Sequence, residues 1–461
     1  MNADAERLRV AYLVYRGNPR CGGQGVYTRH LTNELTKLGH EVTVFSGQPY
    51  PELEDGVGFV EVPSLDLYRE PDPFRVPRPS EFKTSIDALE FAIMCTAGFP
   101  EPRTFTLRAR KLLAARTGQF DIVHDNQSLG SGLLGIMRDG WPLLGTIHHP
   151  ITVDRELDLS HATTIRRRLT LRRWYGFIEM QRRVARQIPR VVTVSESSCH
   201  DIAEQLGVEP SRMAVVPVGV DESVFRPRPE IARVPGRLVT TASADVPMKG
   251  LIPLLEALAK VRTERSDAHL VVVGRLRDGS LIPGVLDRLG LEGAVNFRSG
   301  ISDDELSELY GSAEVAVVPS LYEGFSLPAI EAMASGVMLV ATTGGALPEV
   351  AGTDGVTALL VAPNDPGALA AGLLRALGDA ELRARIGAAG RKRTLELFTW
   401  PVTARLTADQ YRVLLEERAR AARDRASAPA AHAGGLAVAP AGVAPAGVAP
   451  AIDAAGTGSP C

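Results

Sequence analysis

The chain of 461 residues is too long for one compact core, so its length predicts two domains of roughly 150 to 250 residues each. Its hydrophobic share of 45% and charged share of 23% are ordinary for a soluble globular protein, and a formal charge of −3 disfavours nucleic-acid binding. The four cysteines are scattered singly, which disfavours a zinc site and favours a reducing, cytoplasmic setting. The polar N-terminus and the lack of a long apolar run predict neither a signal peptide nor a membrane span.

The first half of the chain has the pattern of a parallel α/β domain. A short apolar run at 9–15 leads into a glycine loop, a helical pattern that ends at Gly39, and a second strand at 41–45, which together predict a βαβ unit. Further buried strands are predicted at 120–125, 142–149 and 190–197. Each runs into polar or histidine residues, and that edge of an open α/β sheet carries the chemistry. The Pro-rich stretch from about 50 to 115 has no clear pattern.

A second alternating series of strands and helices begins near residue 236 and continues to about 395. Prolines cluster between the two series, where the periodicity lapses. The Ala/Pro/Gly-rich end of the chain carries almost no charge and predicts disorder. The expected organisation is an N-terminal Rossmann-like, acceptor-side domain at 1–222, a C-terminal Rossmann-like, nucleotide-sugar-binding domain at 223–398, a C-terminal helix at 399–425 and a disordered tail at 426–461.

The stretch YEGFSLPAIEAMASG at 322–336 holds two acids around a short turn. Pro328 suits the first turn of a helix, which places Glu323 on the preceding loop and Glu331 in the first helical turn. A helix N-terminus attracts phosphate, and carboxylates accept hydrogen bonds from the vicinal hydroxyls of a sugar or ribose. The pattern therefore predicts a site for a sugar joined to a nucleoside diphosphate. The alternative is that an acid near a helix N-terminus only complements the helix dipole.

From about residue 8 to 412 the chain resembles family 4 of the retaining glycosyltransferases, whose motif is two glutamates separated by seven residues. The segment EGFSLPAIEAMASGVMLVATTGGALPEV is similar to the family signature, and TIHH, TVSE and VVPSLYEGF occur in the family's order. The resemblance implies the GT-B fold, with two facing Rossmann-like domains and a C-terminal helix that returns towards the N-terminal one. It also implies transfer of a hexose-type sugar from a nucleoside diphosphate to a glycan, lipid or small-molecule hydroxyl. The base, the sugar, the acceptor and the oligomeric state stay open.

The resemblance also implies roles for residues at matching positions. Lys249 would neutralise the departing diphosphate, Glu323 would bind hydroxyls of the donor sugar, and His148 would lie on the donor sugar's side of the cleft. Glu331 would hold the ribose hydroxyls of the nucleotide. The remaining donor-binding positions are Gly22 and Gly23 of the N-terminal domain and the backbone N–H groups of Gly324, Phe325, Ser326 and Leu327.

The sequence departs from the family pattern in places. Ala244 stands where the family usually has an arginine, so half of the expected diphosphate clamp is missing from its usual place. Arg275, after a neighbouring strand, is a candidate to supply that charge, and an exposed loop arginine is the alternative. Arg298 is a candidate for contact with the nucleotide base. Asn126 and Gln127 follow the strand at 120–125, where a second histidine is often found, so acceptor contacts are expected to differ.

We expect no cofactor and no metal, because the nucleotide sugar is a substrate and Lys249 with a helix dipole can do the work of a divalent cation. A dinucleotide-dependent oxidoreductase is disfavoured, since the first βα turn lacks G-x-G-x-x-G. Two alternatives remain: a non-catalytic or degenerate nucleotide-sugar-binding protein, and a nucleotide-sugar epimerase of the same fold.

The segment 165–190 holds nine arginines and one acid, with several large apolar side chains among them. Such a segment can rest on an anionic membrane, which would place the protein peripherally at the inner face of the membrane. The favoured alternative is a solvated helix whose apolar side packs on the first domain.

Overall fold

The computed structural model describes residues 7–18, 24–69, 72–160, 162, 164–242, 246–276 and 279–427. Both sheets lie within one compact unit of residues 1–418, and a second, short unit begins at residue 419. Most of the predicted disordered tail, residues 428–461, lies outside the described residues.

The N-terminal sheet has seven parallel strands in the order β3-β2-β1-β4-β5-β6-β7. Its strands are β1 (Arg9–Val14), β2 (Glu41–Ser46), β3 (Gly58–Glu61), β4 (Ile122–Asn126), β5 (Leu143–Thr146), β6 (Arg190–Thr193) and β7 (Met213–Val215). The helices among them are α1 (Gln24–Lys37), α2 (Ser85–Cys95), α3 (Glu101–Ala114), α4 (Gly132–Arg138), α5 (Thr152–Ser160), α6 (Ile165–Trp174), α7 (Phe177–Ala185) and α8 (Glu196–Leu206). The predicted strands after the Pro-rich stretch are present as β4, β5 and β6, and the stretch itself contains β3, α2 and α3.

The C-terminal sheet has six parallel strands in the order β10-β9-β8-β11-β12-β13. Its strands are β8 (Arg237–Thr241), β9 (His269–Val273), β10 (Val295–Arg298), β11 (Val315–Val318), β12 (Met338–Thr342) and β13 (Leu359–Val361). Its helices are α9 (Leu251–Arg262), α10 (Ile282–Leu289), α11 (Asp303–Ser312), α12 (Leu327–Ala334), α13 (Leu347–Ala351), α14 (Pro366–Gly378) and α15 (Ala380–Leu397). The predicted pair of Rossmann-like parallel sheets is therefore confirmed.

Buried aliphatic side chains cover both faces of each sheet, as is expected of parallel sheets sandwiched between helices. The last helix, α16 (Trp400–Ser427), contributes to the N-terminal core. There the rings of Tyr27 and Trp400 pack edge to face with their centroids 5.6 Å apart, and the hydroxyl of Tyr411 lies 2.6 Å from Nδ1 of the buried His124. The expected return of the C-terminal helix to the N-terminal domain is confirmed.

The arginine-rich segment folds as two helices with different surroundings. Helix α7 buries Ile178, Val184 and Ala185, so the expected packing on the first domain is confirmed there. Helix α6 buries no residue fully, and Ile165 and Leu169 are 79% and 59% exposed. Its last residue, Trp174, packs against Tyr68 of the first domain, so the packing expectation is confirmed at the end of α6 but not at these two exposed positions. Among the described residues, no helix is long and apolar enough to cross a bilayer.

In each sheet the strand order reverses once, between β1 and β4 and between β8 and β11. The loops that leave two such strands depart in opposite directions, which opens a crevice at the carboxyl edge of the sheet where ligands bind in this architecture. The crevice of the C-terminal sheet lies after Thr241 and Val318, directly before the turns that carry Lys249 and Glu323.

Candidate functional site

Two of the predicted site residues meet at the crevice of the C-terminal sheet. Nζ of Lys249 lies 2.8 and 3.1 Å from the two carboxylate oxygens of Glu323. The hydroxyl of Ser320 also donates to Glu323, at 2.6 Å. An ammonium group has three N–H donors, so Lys249 can keep this ion pair and still donate to a phosphate oxygen. The lysine side chain is 35% exposed, which leaves it accessible to a ligand.

The two residues are brought together by two short turns. Lys249 ends a single 3₁₀ turn at Pro247–Lys249, and Gly250 follows in the left-handed conformation. The loop with Glu323 is joined to this turn by a hydrogen bond from the N–H of Leu321 to the carbonyl of Met248, at 2.8 Å. The ion pair is therefore supported by backbone contacts on both sides.

Helix α12 begins at Leu327, with Ser326 as its N-cap and Pro328 in its first turn. The Ser326 hydroxyl does not cap the helix, and its Oγ is buried with no hydrogen-bond partner in the described part of the chain. The first N–H groups of a helix need acceptors, and together with the helix dipole they form an anion site when no side chain caps them. The turn between the two glutamates thus has the properties of a phosphate site.

Glu331 lies one turn further along α12 than expected, in the second turn and not the first. Within the described residues its carboxylate has no hydrogen-bond or ion-pair partner. Burial, with a smaller effect of the nearby Asp303 charge, raises the pKa of Glu331 from 4.5 to about 8. The hydroxyl of Tyr310, which lies 3.2 Å from the Thr241 hydroxyl, is close enough to Glu331 for the carboxylate charge to raise the pKa of the tyrosine further. Glu331 is thus a half-buried acceptor without a partner in the described part of the chain.

A groove of about 590 Å³ opens beside this site at the ends of β9 and β10. It is lined by Val273, Gly274, Arg275, Ser299, Gly300 and Ile301. Arg298 is exposed at the last position of β10 and is not among the lining residues. Of the two candidate arginines, the structure brings only Arg275 to this groove.

His148 follows β5 at the carboxyl edge of the N-terminal sheet. Its Nε2 lies 2.9 Å from Oδ1 of Asn126, and its backbone N–H donates to Oε1 of Gln127 at 2.6 Å. The edge of the Tyr27 ring packs against the imidazole, with ring centroids 4.6 Å apart. Burial, with His149 as a further cause, lowers the pKa of His148 to about 3. The imidazole is therefore neutral and fixed in orientation.

Asn126 and Gln127 thus orient His148, a role that the sequence did not reveal. The predicted His148 is half-buried, whereas His149 is exposed and its carbonyl accepts a hydrogen bond from Gln127 at 2.8 Å. Asn126 is the last residue of β4 and Gln127 follows it, next to β5 in the sheet. Their place at a strand end was the signal that could have identified them.

Three positions of interest cannot be placed. The predicted phosphate-approaching Gly22 and Gly23 lie outside the described residues, as does Ala244.

The N-terminus of α8, which follows β6, contacts the loop that carries Glu323. Hydroxyls of Ser195 and Ser198 donate to the carbonyl of Gly324, and the carboxylate of Glu349 accepts from two N–H groups at the start of α8. Sequence reasoning did not assign these residues a role. A run of polar residues before an apolar helical pattern is an N-cap signal, and SES at 195–197 has that form.

Comparisons with known proteins agree with this architecture. A family model described as "Glycosyltransferase Family 4" matches residues 21–224, and one described as "Glycosyl transferases group 1" matches residues 228–393. A protein of Mycolicibacterium hassiacum named MMP alpha-(1->4)-mannosyltransferase is 54% identical over 405 residues, which cover 88% of this chain and 98% of the relative.

Solved structures show the same fold at lower identity. Sucrose-phosphate synthase from Thermosynechococcus elongatus superimposes with a TM-score of 0.65 at 23% identity and covers 89% of this chain and 100% of its own. HepE of Anabaena, solved in complex with UDP and glucose, has a TM-score of 0.63 at 16% identity and covers 88% of this chain and 99% of its own. These likenesses show the two-domain fold.

Proposed function

The chain belongs to glycosyltransferase family 4, and we propose that it is a retaining, metal-independent hexosyltransferase whose donor is a nucleoside diphosphate sugar. The observation that carries the proposal is the combination of the Lys249–Glu323 ion pair with the uncapped start of α12. Both lie at the crevice of the C-terminal sheet, where a cation and free N–H groups suit a diphosphate.

Each part of the donor would meet a different group. The diphosphate would bind the N–H groups of Gly324 to Leu327 and the free N–H donors of Lys249. Hydroxyls of the sugar would donate to Glu323, and ribose hydroxyls would donate to Glu331, whose carboxylate has no partner in the described part of the chain. The base would lie in the groove beside Arg275. This arrangement is supported by the positions of these groups and by the family roles.

The protein's contribution to the chemistry would be mainly electrostatic. As the bond between the sugar and the diphosphate lengthens, negative charge grows on the leaving phosphate, and Lys249 with the α12 N–H groups would stabilise it. Removal of one such preorganised donor typically lowers the rate about 10² to 10³-fold. The acceptor hydroxyl would attack the face that the diphosphate leaves, which retains the anomeric configuration. The leaving phosphate itself can take the acceptor's proton.

We further propose that the transferred sugar is mannose and that the acceptor hydroxyl is O4 of a sugar. The support is the 54% identity to the M. hassiacum protein, which is named an alpha-(1->4)-mannosyltransferase. Since that relative is matched over nearly its whole length, its reaction is the best starting point for assays.

Incubation of the purified protein with GDP-mannose, UDP-glucose and ADP-glucose in separate reactions, each with manno-oligosaccharide acceptors, tests the proposal. Proton NMR of the product identifies the new linkage and its anomeric configuration. The expected result is an α-linked mannosyl product from a nucleoside diphosphate mannose, formed equally well with excess EDTA. Loss of activity on chelation, or a β-linked product, would contradict metal independence or retention, respectively.

The same reactions separate the alternative functions. A non-catalytic or degenerate binder would bind a nucleotide sugar without consuming it. An epimerase would change the sugar of the donor without any acceptor. Neither alternative accounts for acceptor-dependent release of the nucleoside diphosphate, which is therefore the discriminating signal.

A further inference from the structure

The start of α8 is hydrogen-bonded to one carbonyl group of the loop that carries Glu323 and Gly324, which we call the donor loop. The hydroxyls of Ser195 and Ser198 donate to the carbonyl oxygen of Gly324 at 2.6 and 3.0 Å. Ser195 is also the N-cap of α8 and accepts from the N–H of Ser198 at 2.9 Å. Both serines are buried, with 1% and 0% of their surface exposed. Two buried hydroxyls of the N-terminal domain thus converge on one peptide of the donor loop.

Glu349 of the C-terminal domain forms a second contact with the start of α8. Its two carboxylate oxygens accept hydrogen bonds from the N–H groups of Glu196 and Ser197, at 2.8 and 2.9 Å. A carboxylate at the N-terminus of an eleven-residue helix satisfies free donors and lies at the positive end of the helix dipole. Because Glu349 is on α13 of the C-terminal domain, this capping interaction joins the two domains.

The loop before α13 also holds Glu323. The N–H of Ala346 donates to the carbonyl of Glu323 at 2.8 Å. Gly345 has φ +60°, and a Cβ there would lie 2.3 Å from the same carbonyl oxygen, so only glycine fits this approach. The carbonyls of Glu323 and Gly324 are therefore held by different partners, one within the C-terminal domain and one across the cleft.

Fixing the carbonyl of Gly324 has a consequence for the donor site. In a planar trans peptide the C=O and the N–H of the next residue point in opposite directions. The direction of the Phe325 N–H, one of the groups proposed to bind the donor, is therefore set by the two serine hydroxyls. The phenyl ring of Phe325 packs against core residues of both domains, which keeps the same peptide at the domain contact.

We propose that Ser195, Ser198 and Glu349 are positioning residues that couple domain closure to the geometry of the donor loop. When the domains close, the serine hydroxyls aim the Phe325 N–H and steady the backbone beside Glu323, while Glu349 holds α8 against α13. Opening of the cleft releases these contacts together. The inference rests on the proposed function for the reaction that it serves, but the closure itself can be measured without transfer.

The variant Ser198→Ala/Glu349→Ala tests the coupling and keeps Ser195 as the helix cap. A hydrogen bond to a charged group such as the Glu349 carboxylate changes an equilibrium constant about 10- to 100-fold. Loss of these bonds should therefore shift the equilibrium between open and closed domains strongly towards the open state. We expect kcat for mannosyl transfer to fall about 10-fold or more, with the dissociation constant of the nucleoside diphosphate changed less than twofold. That constant should change little because Lys249, Glu331 and the other N–H groups at the start of α12, all in the C-terminal domain, would still bind the nucleotide when the Phe325 N–H is less well aimed. The variant His200→Ala, on the exposed face of the same helix, is the matched control and should match the wild type.

Small-angle X-ray scattering with and without GDP or UDP gives a readout that does not depend on transfer. The wild type should have a smaller radius of gyration than the double variant in both conditions. Equal radii, or an unchanged kcat, would overturn the inference. A nucleotide dissociation constant that rises in step with the loss of kcat would also overturn it, because it would indicate a distorted donor site and not a lost closure. If the wild type transfers no sugar, the proposed function fails, and the scattering comparison still decides the inference.

Discussion

The carboxyl edges of the two sheets differ in charge although they share one architecture. At the C-terminal sheet the edge carries an ammonium group, two carboxylates and a guanidinium at Lys249, Glu323, Glu331 and Arg275. At the N-terminal sheet the corresponding edge carries His148, which is neutral, hydrogen-bonded to an amide and packed against an aromatic ring. Arg16, which follows β1 at this edge, is paired with Glu101 at 3.5 Å. The C-terminal edge therefore presents charged groups around Lys249, whereas the groups that contact His148 are neutral.

The difference matches the two substrates of the proposed reaction. A diphosphate is charged, and its departure creates more charge, so the donor edge needs cations and N–H groups that are held in place. An acceptor hydroxyl is neutral, and a charged side chain beside it would have to be desolvated at a cost. The following predictions test whether the division of tasks holds.

Lys249→Ala should have the largest effect, because it removes the only side-chain cation that contacts Glu323 in the described part of the structure. We expect kcat to fall about 10² to 10³-fold. Initial rates with saturating donor measure the change. Lys392→Ala, at a lysine 78% exposed on α15, is the matched control. A fall in kcat of less than threefold for Lys249→Ala would remove the lysine from the leaving-group site.

Glu331→Ala should weaken donor binding without a comparable loss of kcat. A hydrogen bond to a charged group contributes about 1.5 to 3 kcal/mol, so the donor KM should rise about 10- to 100-fold. Steady-state kinetics at varied donor concentration and pH 9, where Glu331 is ionised, measure the effect. Glu308→Ala, at an acid on the neighbouring α11, is the control. An unchanged KM for Glu331→Ala would show that this carboxylate does not bind the ribose.

The pH dependence of donor binding should follow the ionisation of the Glu331 carboxyl group. Burial raises its pKa to about 8, so the folded protein holds this proton between about pH 4.5 and 8, where an unfolded chain has lost it. Its contribution to stability is therefore greatest at low pH and falls as pH rises towards 8. Ionised Glu331 accepts hydrogen bonds better, so nucleotide affinity should increase from pH 7 to 9. Calorimetric titrations of wild type and Glu331→Gln should show that increase only in the wild type.

The imidazole of His148 should not titrate in the range where histidines usually do. Its pKa is lowered to about 3, so between pH 3 and 6.5 the unfolded chain binds a proton that the folded protein does not. The stability contribution of the neutral ring is present above pH 6.5 and is lost as pH falls towards 3. Histidine NMR signals followed from pH 8 to 5 should show no shift for His148. A His148 signal that shifts between pH 8 and 5 would contradict the prediction.

The smallest effect is expected for changes in α6 that weaken binding to an anionic membrane. Its arginines and the exposed Ile165 and Leu169 favour contact with an anionic surface, and peripheral membrane binding stays a prediction. Flotation with vesicles of phosphatidylcholine alone and with added phosphatidylglycerol should recover more protein in the second case. The variant Ile165→Ser/Leu169→Ser should reduce that recovery about twofold or more. Equal recovery from both vesicle types would favour a solvated helix.

The fold could be predicted from the sequence because parallel strands buried on both faces are short apolar runs, and each is followed by a helical period. The donor loop was predictable for the same reason, since Glu323 and Glu331 flank a turn with Pro328 in a fixed place. The contact of Glu323 with Lys249 could not be predicted from local patterns. Lys249 is 74 positions away, and only the order of β8 and β11 in the sheet brings the two together.

The contacts between the two domains could not be predicted from the sequence either. Ser195 and Gly324 are 129 residues apart, and nothing in either local pattern indicates that a hydroxyl meets that carbonyl. The arginine-rich segment shows the opposite error, because one composition covered two helices that differ in packing. Helix α7 buries side chains in the core, whereas α6 packs on the first domain through Trp174 and leaves Ile165 and Leu169 exposed. Local patterns determine elements, whereas partners depend on the sheet order and on how the two domains close.

The most direct test of the division between the two edges is a calorimetric comparison of nucleoside diphosphate binding to wild type, Glu331→Ala and His148→Ala. The titrant is GDP, UDP or ADP, whichever binds the wild type most tightly, and the titrations are run at pH 9, where Glu331 is ionised. The account predicts a 10- to 100-fold loss of affinity, about 1.5 to 3 kcal/mol, for Glu331→Ala and a change of less than about twofold for His148→Ala. Equal losses in the two variants, or a loss only in His148→Ala, would contradict it.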